Sequence, residues 1–114
     1  MPPKQNPLKL NPLQLRTLAL FQELARHPDT SSRSAETGEV RIDALPHLHG
    51  NHVHIGRFVV SARDASGLGN EAVWVALERK KLARSDFPAS LILTPAGIDY
   101  DTGLGEKMLG QSDH

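Results

Sequence analysis

The sequence predicts an α+β domain in which two short helices, joined by a tight turn, run into a C-terminal two-stranded hairpin. Three observations carry this expectation. Gly67-Leu68-Gly69-Asn70 is a compact breaker between two helix-forming stretches, because glycine and asparagine accept the backbone angles of a sharp reversal. Val73 and Leu77 then fall four apart, flanked by Ala72 and Ala76, a narrow apolar stripe of helical period. Leu91 and Leu93 alternate along a strand that follows the loop Ser85–Ala89.

Taken in chain order, residues 1–11 read as a flexible arm, since Pro2, Pro3 and Pro7 interrupt regular structure. The folded body is expected over 12–101. Asn11-Pro12 starts the first helix, an N-cap followed by proline at the first helical position. Leu13, Thr17, Leu20, Phe21 and Leu24 follow the three-four spacing of one buried face, and Leu18 widens it. This helix should end near Arg26, with His27-Pro28 as its stop and His27 in solvent. Residues 27–38, HPDTSSRSAETG, hold almost nothing apolar and read as a mobile loop.

From Glu39 to Leu45, Val40 and Ile42 alternate with Glu39, Arg41 and Asp43, a half-buried strand that Pro46 ends. Gly50-Asn51 marks a turn into a second strand, His52–Ile55, with Val53 and Ile55 inward. These two strands give an extra hairpin on the N-terminal side. Gly56 breaks the second, and the shifted phase of Phe58 and Val60 leads the chain toward a helix at Ser61–Ser66, with Ser61 as N-cap and Asp64 in its first turn. Ala62 and Ala65 would let that helix pack closely. Asn70 caps the following helix and Glu71 places a carboxylate on its positive end. Leu82–Arg84 and Ser90–Thr94 form the C-terminal hairpin, Thr94–Gly97 turns the chain, and Ile98–Tyr100 adds a short strand or terminal turn. Residues 102–114, with Gly103, Gly105 and Gly110, read as a disordered tail.

A chain of 114 residues is expected to hold one modest core, aliphatic because aromatics make up only 4%. The absence of cysteine excludes disulfides, thiolate zinc sites and cysteine nucleophiles. No secretory signal and no apolar run of about 18 residues is visible, so the expectation is a soluble cytoplasmic protein without membrane partners. Formal net charge is zero, which weighs against a dedicated nucleic-acid binder, whose affinity comes mainly from phosphate contacts. The charge is unevenly spread, however: residues 57–84 carry a net of plus three and residues 85–114 a net of minus four.

The most unusual local feature is the run from His47 to His54, four histidines in eight residues: His47, His49, His52 and His54. On a strand, His52 and His54 would share the outer face about 7 Å apart. That spacing suits a divalent metal, with His47 or His49 folding over from across the turn and Asp43 as a carboxylate. Alternation alone also places polar side chains there, and the metallohydrolase pattern with a glutamate base is absent; no metal or other cofactor is expected. Ser61, Asp64 and His54 invite comparison with a catalytic triad, but their spacing implies no geometry and no nucleophile elbow is present. No enzymatic activity is expected.

The run from Ala65 to Arg84, ASGLGNEAVWVALERKKLAR, followed by Leu93–Gly97, LTPAG, resembles the winged helix-turn-helix domains of small bacterial transcriptional regulators. The resemblance covers about a third to two-fifths of the chain and implies three helices with a C-terminal hairpin as the wing. The chain also looks like a set of small bacterial proteins of unknown function that share its His-rich and Trp-containing pattern. The fold serves DNA, RNA and protein partners alike. In the regulators the first turns of the second helix carry polar side chains that reach base edges. Here the corresponding positions are Gly69, Asn70, Glu71, Trp74 and Val75, of which only Asn70 is a natural adenine reader.

Two functions follow as expectations. The first is a regulatory module binding duplex DNA through Asn70, Arg79, Lys80, Lys81 and Arg84, with Arg63 on phosphate. The second is a protein-docking domain without DNA binding, anchored on Trp74 and Val75, as exposed aromatics anchor interfaces.

Overall fold

The structure, a computed structural model, describes residues 6–56, 58–104 and 110–111, without the side chains of residues 48, 49, 110 and 111; residues 1–5, 57, 105–109 and 112–114 lie outside that description. Within it the protein is an α+β fold of three α-helices and two antiparallel sheets.

Helix α1 spans Pro12–Leu24 and begins as expected. The Gln14 amide donates to Asn11 Oδ1 at 2.8 Å and the Asn11 amide to Gln14 Oε1 at 2.9 Å, a reciprocal capping box. Thr17, Leu18, Leu20, Phe21 and Leu24 are buried on one face, while Leu13 is half-buried. The arm before the helix is partly fastened down. The Asn6 side chain bonds both the amide and the carbonyl of Leu10 and accepts from the Tyr100 hydroxyl, and Leu10 is buried.

The stretch read as a mobile loop contains a short strand, β1, at Ser31–Arg33, which pairs with β2 at Val40–Ile42. His27 is half-buried rather than solvated, its Nε2 at 2.9 Å from Glu23 Oε2 and its ring so close to Gly56 that a Cβ there would fall 2.5 Å from Cε1. The expected hairpin of Glu39–Leu45 with His52–Ile55 does not form: β4, His52–Ile55, pairs instead with β3, Leu48–His49, and β2 belongs to the other sheet.

The expected Ser61–Ser66 helix does not form either. Strand β5, Phe58–Ser61, folds back on β4 with Val53 opposite Val60 and Ile55 opposite Phe58. The phase shift at Gly56 (φ 58°) marks a tight reversal, after which both strands bury the same face. Ser61 caps a single turn, accepting the Asp64 amide at 3.1 Å, and the chain tightens into a 3₁₀ turn at Ser66–Gly69. Gly67 serves there by its lack of a side chain, not by a left-handed angle: a Cβ would fall 1.8 Å from Thr17 Oγ1 on α1.

Helix α2, Glu71–Arg79, follows, with Asn70 Oδ1 accepting the Ala72 amide at 3.1 Å. The hairpin is β6, Ala83–Asp86, and β7, Ser90–Leu93. In place of a strand or bare turn at Thr94–Tyr100 stands a third helix, α3, Pro95–Asp99, capped by Thr94 Oγ1. The tail is not wholly without structure, since Thr102 is buried and Gly110–Gln111 form a two-residue strand, β8, against β5.

One sheet runs β1-β2-β7-β6 and the other β3-β4-β5-β8. The first presents Val40, Ile42, Leu91, Leu93 and Ala83 to the core; the second adds Val53, Ile55 and Val60 to the same cluster, which α1 and α2 close with Leu18, Phe21, Leu24, Val73, Trp74 and Leu77. Among the described residues no helix is long and apolar enough to cross a membrane.

Candidate nucleic-acid interface

Helix α2 stands against the core through Val73, Trp74 and Leu77, which leaves Glu71, Ala72, Val75, Glu78 and Arg79 exposed on its outer side. Trp74 is wholly buried. Its indole N–H donates to the Leu68 carbonyl at 3.2 Å, and its ring meets Phe21 and Phe87 edge-on, at centroid distances of 5.4 and 4.8 Å. An indole held this way is the joint between α1, α2 and the hairpin, so Trp74 is not available as a docking anchor. Val75, its neighbour, is the exposed large hydrophobic residue among those described.

The end of α2 is a Schellman stop. The Leu82 amide donates to the Leu77 carbonyl and the Lys81 amide to the Glu78 carbonyl, with Lys81 left-handed at φ 63°. Arg79, Lys80 and Lys81 are all exposed on this stop, next to the start of β6. Glu78 is drawn away from them, its carboxylate accepting the Ser85 amide at 2.7 Å.

The other predicted contacts are arranged differently. Asn70 is exposed, but its side-chain oxygen is engaged in capping α2. Arg63 is exposed in the turn after β5, which leads to the opposite end of α2 from Arg79–Lys81. Arg84 is held in a two-point ion pair by Glu39, with Nη2 to Oε1 at 3.0 Å and a second, shorter contact from Nη1 to Oε2. The Arg84 hydrogen bonds hold the Glu39 carboxyl below the usual glutamate range, and the Glu39 carboxylate raises Arg84 in turn. The structure therefore gathers three of the six residues and splits off the rest.

Sequence reading overlooked Arg41. It stands opposite Ile92 on β7, which in turn stands opposite Arg84 on β6, so the three share the outer face of the first sheet. Arg41 lines a shallow cleft with Glu78, Arg84, Ser85, Asp86, Ser90 and Ile92. The alternation of Glu39–Asp43 already placed Arg41 outward; only the pairing of β2 with β7 brings it beside the hairpin.

The histidine run is split too. His52 and His54 do share the outer face of β4, His47 is exposed, and the side chain of His49 lies outside the described residues. No group of three or more His, Asp or Glu side chains comes together among the described residues. Ser61 stands across from His52, yet its hydroxyl oxygen is occupied by the Asp64 amide.

Set against protein-family models, curated proteins and solved structures, the chain matches none of them.

Proposed function

We propose that this protein is a winged-helix module that binds duplex DNA, holding the phosphate backbone more than it reads bases. The observation that carries this is the exposed Arg79-Lys80-Lys81 stop of α2, placed immediately ahead of the β6–β7 hairpin. The run of 3₁₀ turn, helix α2 and hairpin, with β2 joining the hairpin in one sheet, supports the winged-helix reading. Cations here meet phosphate as the hairpin lies along the backbone. The outer side of α2 offers little for base edges, because Glu71 and Glu78 repel phosphate and Ala72 and Val75 carry no polar group. Low sequence preference follows, and a regulatory role would draw its specificity from elsewhere.

Fluorescence anisotropy with a mixed-sequence duplex tests this directly. Binding at low salt should weaken steeply as salt rises, the log–log slope being about −0.9 per phosphate neutralised. Replacing Arg79, Lys80 and Lys81 together by glutamine should flatten that slope by about two to three units. Absence of binding at low salt and high DNA excess ends the DNA reading.

A second reading rests on Val75. It is exposed beside Ala72 with Glu71, Glu78 and Arg79 around it, an apolar spot in a charged rim that suits docking of another protein without Trp74. Such binding would resist salt and be lost in Val75→Asp, a substitution that leaves the core untouched.

A further inference from the structure

The two histidines of β4 stand in an arrangement that ordinary strand alternation does not require. Side chains two apart on a strand share a face, but their tips are free to diverge. Here they converge. His52 Nε2 and His54 Nε2 face each other at 3.1 Å, with the rings edge-on at a centroid distance of 4.8 Å. Two nitrogens each about 2.0–2.1 Å from one cation lie about 2.9 Å apart across a right angle and about 3.4 Å apart across a tetrahedral one. The observed separation falls between these limits.

A second observation concerns the other nitrogen of His52. His52 Nδ1 is 3.3 Å from Asn51 Oδ1. An amide oxygen accepts from an Nδ1 hydrogen, and in that tautomer the His52 Nε2 lone pair faces His54. A ring nitrogen donating to a neighbouring oxygen while the other faces the metal is the usual support for a ligating histidine. His54 is exposed and His52 half-buried, so a cation reaches them from solvent. The hairpin register also brings the backbone of His49 directly across from His52.

We propose that His52 and His54 form a two-nitrogen clamp for a borderline divalent transition cation of the Zn²⁺, Ni²⁺ or Cu²⁺ class, joined through Nε2 of each ring, with water completing the shell. Imidazole selects such cations over Mg²⁺ and Ca²⁺, which prefer oxygen. The cation takes the place of the hydrogen between the two rings: His54 gives up its Nε2 hydrogen and takes one at Nδ1 from solvent, so both rings ligate as neutral imidazoles with no net proton released.

Calorimetric titration of the tag-free protein with ZnCl₂ and, separately, MgCl₂ tests the clamp, with long-range ¹H–¹⁵N spectra of the imidazoles as the second readout. The expected result is one zinc site, no magnesium binding, and zinc-dependent shifts at Nε2 of His52 and His54. His52→Gln and His54→Gln should each weaken zinc binding about tenfold or more, with the double variant little worse than either, because one remaining imidazole no longer chelates. Both positions lie on the outer face of β4, so thermal melts without metal should be close to the parent's. Zinc affinity unchanged in both single variants, or imidazole shifts confined to other histidines, overturns the proposal. So does the absence of zinc binding, which would leave the pair as a hydrogen bond between two neutral rings.

Discussion

Lys81 holds a left-handed backbone at φ 63°, a conformation that costs a non-glycine residue about 1–2 kcal/mol. The Schellman stop of α2 demands that angle, and glycine is the residue that usually supplies it. Lys81→Gly should therefore stabilise the protein by about 1 kcal/mol after the added flexibility of the unfolded chain is counted, read as a rise in the urea midpoint with an unchanged slope. The same variant should bind DNA more weakly if the exposed ammonium contacts phosphate. Gain in stability with loss of binding would place Lys81 among residues kept for function at a cost to the fold. Glu39 and Arg84 give a pH-dependent counterpart. Because the folded state holds the Glu39 carboxyl below its ordinary value, the pair's contribution is complete above the ordinary glutamate range and is lost as pH falls through the lowered value. The difference in denaturant midpoint between the parent and Glu39→Gln should thus shrink on acidification and in high salt.

Between elements, the 3₁₀ turn lies close against α1. A Cβ on Gly67 would meet Thr17 Oγ1 at 1.8 Å and Thr17 Cβ at 3.0 Å, and Thr17 is itself fully buried, its hydroxyl donating to the Leu13 carbonyl. Gly67→Ala should destabilise by about 1–3 kcal/mol through overpacking. Combining it with Thr17→Ala, which removes the nearer atom, should recover part of the loss, so that the double-mutant cycle shows coupling between the two sites. Gly97 makes a similar approach, to the Leu82 carbonyl, while Gln22 Nε2 donates to the carbonyls of Gly97 and Tyr100 and ties α1 to α3. The sequence announced Gly67 as a breaker for the right position and the wrong reason. A glycine between two helical stretches signals a turn, but whether it is needed for its backbone angle or for its missing side chain depends on what packs over it.

At the scale of the whole molecule, both sheets feed one core, and the single tryptophan sits in it at the meeting of α1, α2 and the hairpin. Unfolding should accordingly be one cooperative transition, with Trp74 fluorescence and far-UV circular dichroism giving coincident curves; separate transitions would mean that the second sheet melts on its own. What the sequence determined by itself is what local chemistry dictates. Asn11-Pro12 and Asn70 cap their helices wherever the chain goes, and the alternation of Val40 and Ile42, of Val53 and Ile55, and of Leu91 and Leu93 fixes which faces are buried. Tertiary structure decided the rest. Phe58–Ser61 became a strand because β4 offered a partner in register, an advantage that helix propensity over four residues cannot match. Trp74 went inside because Phe21 and Phe87, fifty-three residues before and thirteen after it, close around the ring. Arg84 met Glu39, and Arg41 came beside the hairpin, only when β7 paired between β2 and β6. Charges far apart in the chain carry no local signature of whether they will face solvent, a phosphate or each other, because that is settled by strand order, and strand order is set by the burial of a shared core.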